Sequence, residues 1–226
     1  MLGSIRLKES GFTIVELSVS IAAGAVVVLA VLSISLFFFA DVMRAEAQTQ
    51  LITDSQIALN RVVEDMRTGS AILLDSSIPD ANEPAGGWTT SNADLILIIS
   101  TPVLDSTNNF IIDSDTGNPY QNEYIYFTDN ESHLHKRVLA NPTATGNTAV
   151  TTCPETATTP SCPADSILTE NFSTMSFIFF DRDNIETADP TIARSTNISI
   201  FMSKNVYGQN LTAENIIRMS LRNPQS

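Results

Sequence analysis

A carboxylate at the edge of a long apolar segment is the residue whose position most requires a chemical explanation. Glu16 lies directly before residues 17–40, a stretch of the 226-residue chain that contains no charged residue and no proline. An ionised carboxylate in hydrocarbon costs on the order of 2.5–3.5 kcal/mol at mid-bilayer and less near the membrane edge. We therefore expect Glu16 to serve a function.

The two cysteines of the chain, Cys153 and Cys162, lie close together in the sequence. A zinc site needs more ligands than this pair supplies, and no histidine cluster lies near it. A disulfide fits the pair better. It indicates that this part of the chain lies in an oxidising, extracytoplasmic compartment.

The two histidines of the chain, His133 and His135, are two residues apart and would share one side of a strand. Two histidines could begin a metal site, but neither a cysteine nor a third histidine is nearby to complete it. We therefore interpret both as exposed strand residues and predict no metal there. Lys136 and Arg137 follow and form with His135 a small basic patch, which we interpret as a solvated strand face.

Two acidic segments weakly resemble calcium loops. Residues 113–118 (DSDTGN) begin like such a loop but lack the third acidic ligand and the closing glutamate. Asp181, Asp183 and Glu186 form a similar group. We expect polar turns in both places and no bound calcium.

Composition and motifs argue against catalysis and against nucleic-acid binding. The net charge of −13 repels phosphate. The sequence contains no G-x-S-x-G, P-loop or H-E-x-x-H motif, and no nucleophile is paired with a base. The chain is therefore expected to be neither an enzyme nor a cofactor-binding protein.

The apolar segment must be positioned by a helix. Residues 17–40 are long enough to span a bilayer core with some tilt. Arg6 and Lys8 precede the segment, which places the N-terminus in the cytoplasm and the rest of the chain outside. A cleaved secretory signal with residues 45–47 as its site is a weaker alternative, because the segment exceeds the roughly 7–15 residues of a signal core.

Residues 11–17, GFTIVEL, follow a short basic leader and precede this apolar segment. The pattern closely resembles the processing site of type IV prepilins. The resemblance implies that prepilin peptidase removes residues 1–11 by cutting after Gly11 and that the new amine of Phe12 is methylated. It also implies that Glu16, the fifth residue of the mature chain, serves assembly, and that residues 12–40 form a helix that is transmembrane at first and later lies in a filament core.

The helix is expected to continue through residues 41–68 in amphipathic form. Ile52, Leu59, Val63 and Met66 recur at helical spacing, and no proline or glycine interrupts the segment before Gly69. This stripe is expected to pack against a globular head.

From residue 69 to residue 226 the pattern changes to the alternation of strands. The predicted strands are residues 94–101, 123–128, 134–139, 175–181, 197–203 and 216–221. Residues 129–132 join two of them as a hairpin loop. Residues 76–91 and 105–109 are predicted surface loops, and residues 141–166 a long insertion pinned by the disulfide. The predicted fold is α+β, with one antiparallel sheet packed on the helix.

The head also resembles larger minor pilins and minor pseudopilins, in residues 123–137, 176–183 and 216–223. Ser33 stands where major pilins usually carry a proline, and strands are predicted after the cysteine pair, which favours a minor subunit. The resemblance implies a minor pilin that assembles into or primes a type IV pilus. The alternatives are a minor pseudopilin of a type II secretion system and, ranked lower, a single-span anchored adhesion or binding domain.

The implied partners are other pilins or pseudopilins, prepilin peptidase and an assembly platform, with membrane lipid as the surroundings before assembly. The expected location is the cytoplasmic membrane with an extracytoplasmic head, and afterwards a cell-surface or periplasmic filament.

Overall fold

A computed structural model describes residues 13–220 of the chain. The predicted leader, Phe12 and the last residue of the sixth predicted strand lie outside the described residues. Within them the chain forms one long α-helix and nine strands: α1 (Ile14–Thr68), β1 (Ala71–Leu73), β2 (Leu97–Pro102), β3 (Gln121–Thr128), β4 (Leu134–Leu139), β5 (Ser166–Thr169), β6 (Phe172–Phe180), β7 (Glu186–Thr187), β8 (Ser195–Val206) and β9 (Gln209–Ser220). The α+β class and the long N-terminal helix are confirmed. The chain divides into two compact units between Glu46 and Ala47.

The first unit consists of the apolar part of α1. Its side chains are predominantly apolar over the length of a membrane span, and none of the most apolar stretch is buried. By length and composition α1 can therefore serve as a single membrane anchor. The helix also satisfies its own serine hydroxyls in this part, as a helix in lipid requires. Each serine hydroxyl donates to the carbonyl four residues earlier. The donors Ser18, Ser20, Ser33 and Ser35 pair respectively with Ile14, Glu16, Leu29 and Val31.

The second unit begins with the amphipathic part of α1, whose buried stripe differs from the predicted one. Leu51 is 1% exposed, whereas Ile52 is 40% exposed. Ile52 was therefore wrongly assigned to the stripe, and Leu59, Val63 and Met66 were assigned correctly. The remaining stripe positions are Ser55, Ala58 and Val62. Because the stripe positions 55 and 58 hold the small residues serine and alanine, the sequence pattern does not favour Leu51 over the adjacent Ile52.

The strands form two antiparallel sheets, so the predicted antiparallel head is confirmed, and its division into two sheets is a feature that the sequence does not predict. The first sheet has the order β1-β2-β3-β4-β5 and the second the order β7-β6-β8-β9. Alternation along a strand predicts which residues face a core, but it does not say which strands pair. The predicted strand at residues 134–139 agrees with β4 in both bounds, and the short strands β1, β5 and β7 were missed.

One core joins the buried stripe of α1 to both sheets. Ile99 on the first sheet and Ile200 on the second belong to the same apolar cluster as Met66 of the helix, and all three are at most 1% exposed. Burying a side chain of this size contributes roughly 1.5–3 kcal/mol. The amphipathic part of α1 is therefore a structural member of the head.

The opposite face of the first sheet is covered as well. Trp88 packs there with Ile98 and Ile125 in a second apolar cluster. The segment 76–91, predicted as a surface loop, thus carries a buried tryptophan and shields this face. Because β2 is buried on both faces, its first three residues, Leu97, Ile98 and Ile99, are all apolar and do not alternate.

The assignment of the helix stripe can be tested with two adjacent residues of similar size. Leu51→Ala should lower the free energy of unfolding of the head by about 2–5 kcal/mol, because it leaves a cavity in the shared core. Ile52→Ala should lower it by less than about 1 kcal/mol. Denaturant unfolding of the detergent-solubilised chain, followed by the fluorescence of Trp88, measures both. A larger loss of stability for Ile52→Ala than for Leu51→Ala would instead place Ile52 in the buried stripe, as the sequence pattern predicts.

Candidate functional site

The start of α1 places Glu16 in a reciprocal pair of hydrogen bonds with Thr13. The Thr13 hydroxyl accepts from the Glu16 amide at 3.2 Å, and a Glu16 carboxylate oxygen accepts from the Thr13 amide at 3.0 Å and the Thr13 hydroxyl at 2.9 Å. This arrangement is a capping box, which satisfies two amides that the helix leaves without an intrahelical acceptor. Glu16 therefore has a local structural role in the separate chain, a role that the sequence argument did not consider.

The β3–β4 turn brings a third side chain to the two histidines. An oxygen of Asp129, Oδ2, lies 2.9 Å from His133 Nδ1 and 2.9 Å from His135 Nε2. The interpretation of the histidines as exposed is wrong, since their side chains are only 22% and 16% exposed. The turn itself was predicted, and the sequence signal for this group is an aspartate at its first position followed by histidines four and six residues later.

The backbone of the turn holds the Asp129 carboxylate in place. Its other oxygen, Oδ1, accepts hydrogen bonds from the amides of Glu131 at 2.8 Å and His133 at 2.9 Å. Partial burial raises the pKa of Asp129, but the hydrogen bonds from these amides and from the two imidazole rings outweigh it and hold the pKa well below its usual range. Asp129 is therefore an ionised acceptor with a fixed orientation.

Aromatic stacking fixes the ring of His135. The ring lies parallel to Phe127 on the paired strand, with ring centroids 5.2 Å apart and an angle of 16° between the planes. Phe127 in turn packs against Trp88 at 4.9 Å. Because the outer face of the first sheet supports this stack, His135 presents Nε2 to the turn in a defined direction.

Next to this group, Arg137 forms a buried ion network on the same face of β4. Its guanidinium contacts Asp80 at 2.8 Å and Asp165 at 2.6 Å, and all three side chains are at most 5% exposed. Trp88 donates a further hydrogen bond to Asp80 at 2.9 Å. Burial raises the pKa of Asp80. Hydrogen bonds from Trp88, the Asn82 amide and Arg137 lower the pKa by more than burial raises it, so the net shift is downward. The network ties two long loops to the first sheet.

The predicted basic patch at residues 135–137 does not exist as one surface, and this interpretation is corrected. Successive residues of a strand point to opposite faces. Lys136 accordingly points toward α1, where its ammonium lies 2.5 Å from an oxygen of Asp65 and 3.8 Å from the centre of the Tyr124 ring. Arg137 is neutralised on the other face, so neither cation is available to a polyanion.

The predicted disulfide is present between Cys153 and Cys162, with the Cα atoms 5.6 Å apart. It lies in the predicted insertion, which connects β4 to β5 and includes one short 3-10 turn, Glu155–Ala157. The amide of Asp165 donates to the Cys153 carbonyl at 2.8 Å. The disulfide therefore stands directly beside a carboxylate of the Arg137 network.

The two weak calcium candidates are hydrogen-bonded turns. Oxygens of Asp113 accept from the Asp115 amide at 3.0 Å and the Thr116 hydroxyl at 2.8 Å. Asp181 accepts in the same way from the Asp183 and Ile185 amides, both at 2.9 Å. The prediction of polar turns at these positions is confirmed.

The histidine group opens onto a cavity of about 760 Å³ on the outer face of the first sheet. Its lining combines the side chains of the turn with apolar residues, including Trp88, Phe127 and Ile167, and with Glu155 of the disulfide loop. Convergent polar groups at the edge of a partly apolar cavity are typical of small-ligand sites. Of the places described, this one offers the most concentrated set of metal-ligating atoms.

Comparison with known proteins does not extend the argument. A scan against models of protein families finds none that matches the chain, and a search of curated proteins finds no significant relative.

The Arg137 network is tested by removing its cation. Arg137→Met keeps most of the side-chain length but leaves two carboxylates buried without a counter-charge, so the free energy of unfolding should fall by about 3–5 kcal/mol. Arg182→Ala is the matched control, because Arg182 is 82% exposed beside Asp183 and should change stability by less than about 0.5 kcal/mol. Denaturant unfolding measures both, and equal effects would show that losing the cation does not leave the two carboxylates buried without a counter-charge.

Proposed function

We propose that the chain is a minor pilin, a structural subunit that assembles into or primes a type IV pilus after its leader is removed. The observation that carries the proposal is helix α1, which has an apolar part and an amphipathic part and carries Glu16 in its first turn. Its apolar part is exposed along a membrane-spanning length, and its amphipathic part belongs to the core of a β-rich head. The GFTIVEL sequence at residues 11–17 supplies the processing site that such a subunit requires.

The exposed apolar surface supports a role in packing between subunits. Large side chains such as Val27 and Phe38 are 62% and 63% exposed in the separate chain. A contiguous apolar surface of this kind is stable only in lipid or against other apolar surfaces. A subunit that moves from the membrane to a filament core exchanges the first environment for the second.

Glu16 is proposed to direct this exchange. Cleavage after Gly11 leaves a positively charged amine on Phe12, and an unpaired charge in a filament core would be costly. The carboxylate of Glu16 on one subunit can pair with the amine of a neighbour and so set the axial register. The capping box keeps the carboxylate at the start of the helix until that partner arrives.

A minor pseudopilin of a type II secretion system is the second candidate, because it would be processed and anchored in the same way. The two differ in the subunits that bind the mature chain. Crosslinked partners identified by mass spectrometry separate them, whereas an anchored binding domain would yield no pilin-like partner.

Processing is the first test of the proposal. In cells with an active prepilin peptidase, mass spectrometry of the membrane-extracted protein should find a chain that begins at methylated Phe12. Gly11→Val should block the cut, because the family's site accepts only a minimal side chain there. An intact N-terminus in the unsubstituted protein would overturn the assignment.

Three substitutions separate the charge of Glu16 from its capping role. Glu16→Gln keeps a capping box, since glutamine serves at this position as well as glutamate, but it removes the charge. Glu16→Val removes both. Thr13→Ala removes the capping hydroxyl, at a cost of about 0.5–2 kcal/mol to the helix, and keeps the charge. All three should still be inserted and cleaved.

If the charge directs assembly, Glu16→Gln and Glu16→Val should lower recovery of the chain with its partner subunits by at least about tenfold, equivalent to 1.4 kcal/mol of docking free energy. Thr13→Ala should assemble normally. Quantitative pull-down from membranes measures recovery, with the mature N-terminus checked by mass. Normal assembly of Glu16→Gln together with failure of Glu16→Val and Thr13→Ala would assign Glu16 to helix capping alone.

A further inference from the structure

We propose that the β3–β4 turn is a binding site for a divalent transition-metal ion of the zinc type, with Asp129, His133 and His135 as its protein ligands. One potential ligand atom from each residue lies within 4.8 Å of the others. The proposal does not depend on filament assembly, and either can fail while the other holds.

The distances suit a small ion. Zinc binds imidazole nitrogen at about 2.0–2.1 Å and carboxylate oxygen at about 2.0–2.2 Å, so two ligand atoms of a tetrahedral site lie about 3.4 Å apart. Asp129 Oδ2 is 2.9 Å from each of the two ring nitrogens. A separation of the rings from the carboxylate by about half an ångström therefore makes room for the ion.

The ligands are held in position before any ion binds. The amides of Glu131 and His133 occupy Asp129 Oδ1, which leaves Oδ2 to face the rings. Stacking on Phe127 fixes the plane of His135. Outer contacts that orient a ligand in this way are a recurrent feature of protein metal sites.

The donor set selects the class of ion. Two imidazole nitrogens and one carboxylate suit zinc and its neighbours, whereas calcium takes six to eight oxygen ligands and magnesium prefers oxygen with retained water. The acidic balance of the chain, −13, adds a general attraction for cations. The site should therefore discriminate strongly against calcium and magnesium.

The three ligand residues all line the cavity, so a fourth coordination position would be open to it. A Glu131 oxygen, Oε2, lies 4.0 Å from His133 Nδ1 on a side chain that is 81% exposed, so Glu131 or a water molecule can occupy this position and be replaced. Three protein ligands with one replaceable position are typical of zinc sites that bind a further group. The cavity supplies the space for such a group.

The expected affinity for zinc depends on the surroundings of one ring nitrogen of His135. His135 Nδ1 is buried and has no hydrogen-bond partner among residues 13–220. When Nε2 binds a metal, Nδ1 carries the proton and would normally donate it, and loss of such an outer contact weakens metal binding by roughly 10–100-fold. We therefore expect binding in the micromolar range.

The test is zinc titration of the full-length protein in detergent, purified without a histidine tag and stripped with EDTA. Isothermal titration calorimetry should find one saturable zinc site per chain at micromolar concentration. Asp129→Asn and His133→Gln should each weaken binding by at least about tenfold. His133 precedes β4 and lies in the turn, so its substitution should leave the sheet intact, which circular dichroism checks.

Glu155→Gln is the matched control, since Glu155 lines the same cavity outside the ligand group and its substitution should leave the zinc affinity within about twofold. Cobalt(II) should bind with the intense visible absorption of a four-coordinate site. Absence of saturable zinc binding, unchanged affinity in both Asp129→Asn and His133→Gln, or displacement of zinc by equimolar calcium would overturn the proposal.

Discussion

The buried stripe of α1 between Leu51 and Met66 is the contact on which the rest of the head depends. Each antiparallel sheet has an apolar face that requires cover, and the stripe shares one core with both faces. Small residues at Ser55 and Ala58 let the helix approach closely, and the Asn215 side chain donates to the Ser55 hydroxyl. Asp65 of the helix also pairs with Tyr126 and Lys136 of the first sheet, and these polar contacts orient the helix on that sheet. A head separated from its helix would expose both sheet faces to water.

The outer face of the first sheet is organised by a different principle. Ionic and aromatic contacts replace a helix there, with Arg137 between two carboxylates and Trp88 over the strands. A buried ion network contributes little net stability, because desolvation offsets attraction, but it penalises any arrangement that separates its members. It thereby holds the disulfide loop near the histidine group. The proposed metal site and its cavity lie on a surface whose loops are fixed in this way.

The sequence predicted the features that depend on neighbouring residues. The bounds of α1 followed from an uninterrupted helical pattern that stops at Gly69, and β4 and its preceding turn followed from local alternation and turn residues. Features that depend on distant residues were not predicted. Arg137 meets Asp80 and Asp165 only in the folded chain, and the division into two sheets depends on pairings that alternation does not encode. The Asp129 group is different, since its three residues lie within seven positions and a search that included carboxylates would have found it.

We propose that the apolar part of α1 packs against the apolar helices of other subunits. Site-specific photo-crosslinking from Val27 in native membranes tests it most directly, because this side chain is 62% exposed and lies within the membrane-length segment. We expect adducts with the apolar helices of other pilin-like subunits, and we expect them to increase when filament assembly is active. Adducts with lipid alone, under conditions in which filaments form, would contradict it and leave the helix as a membrane anchor.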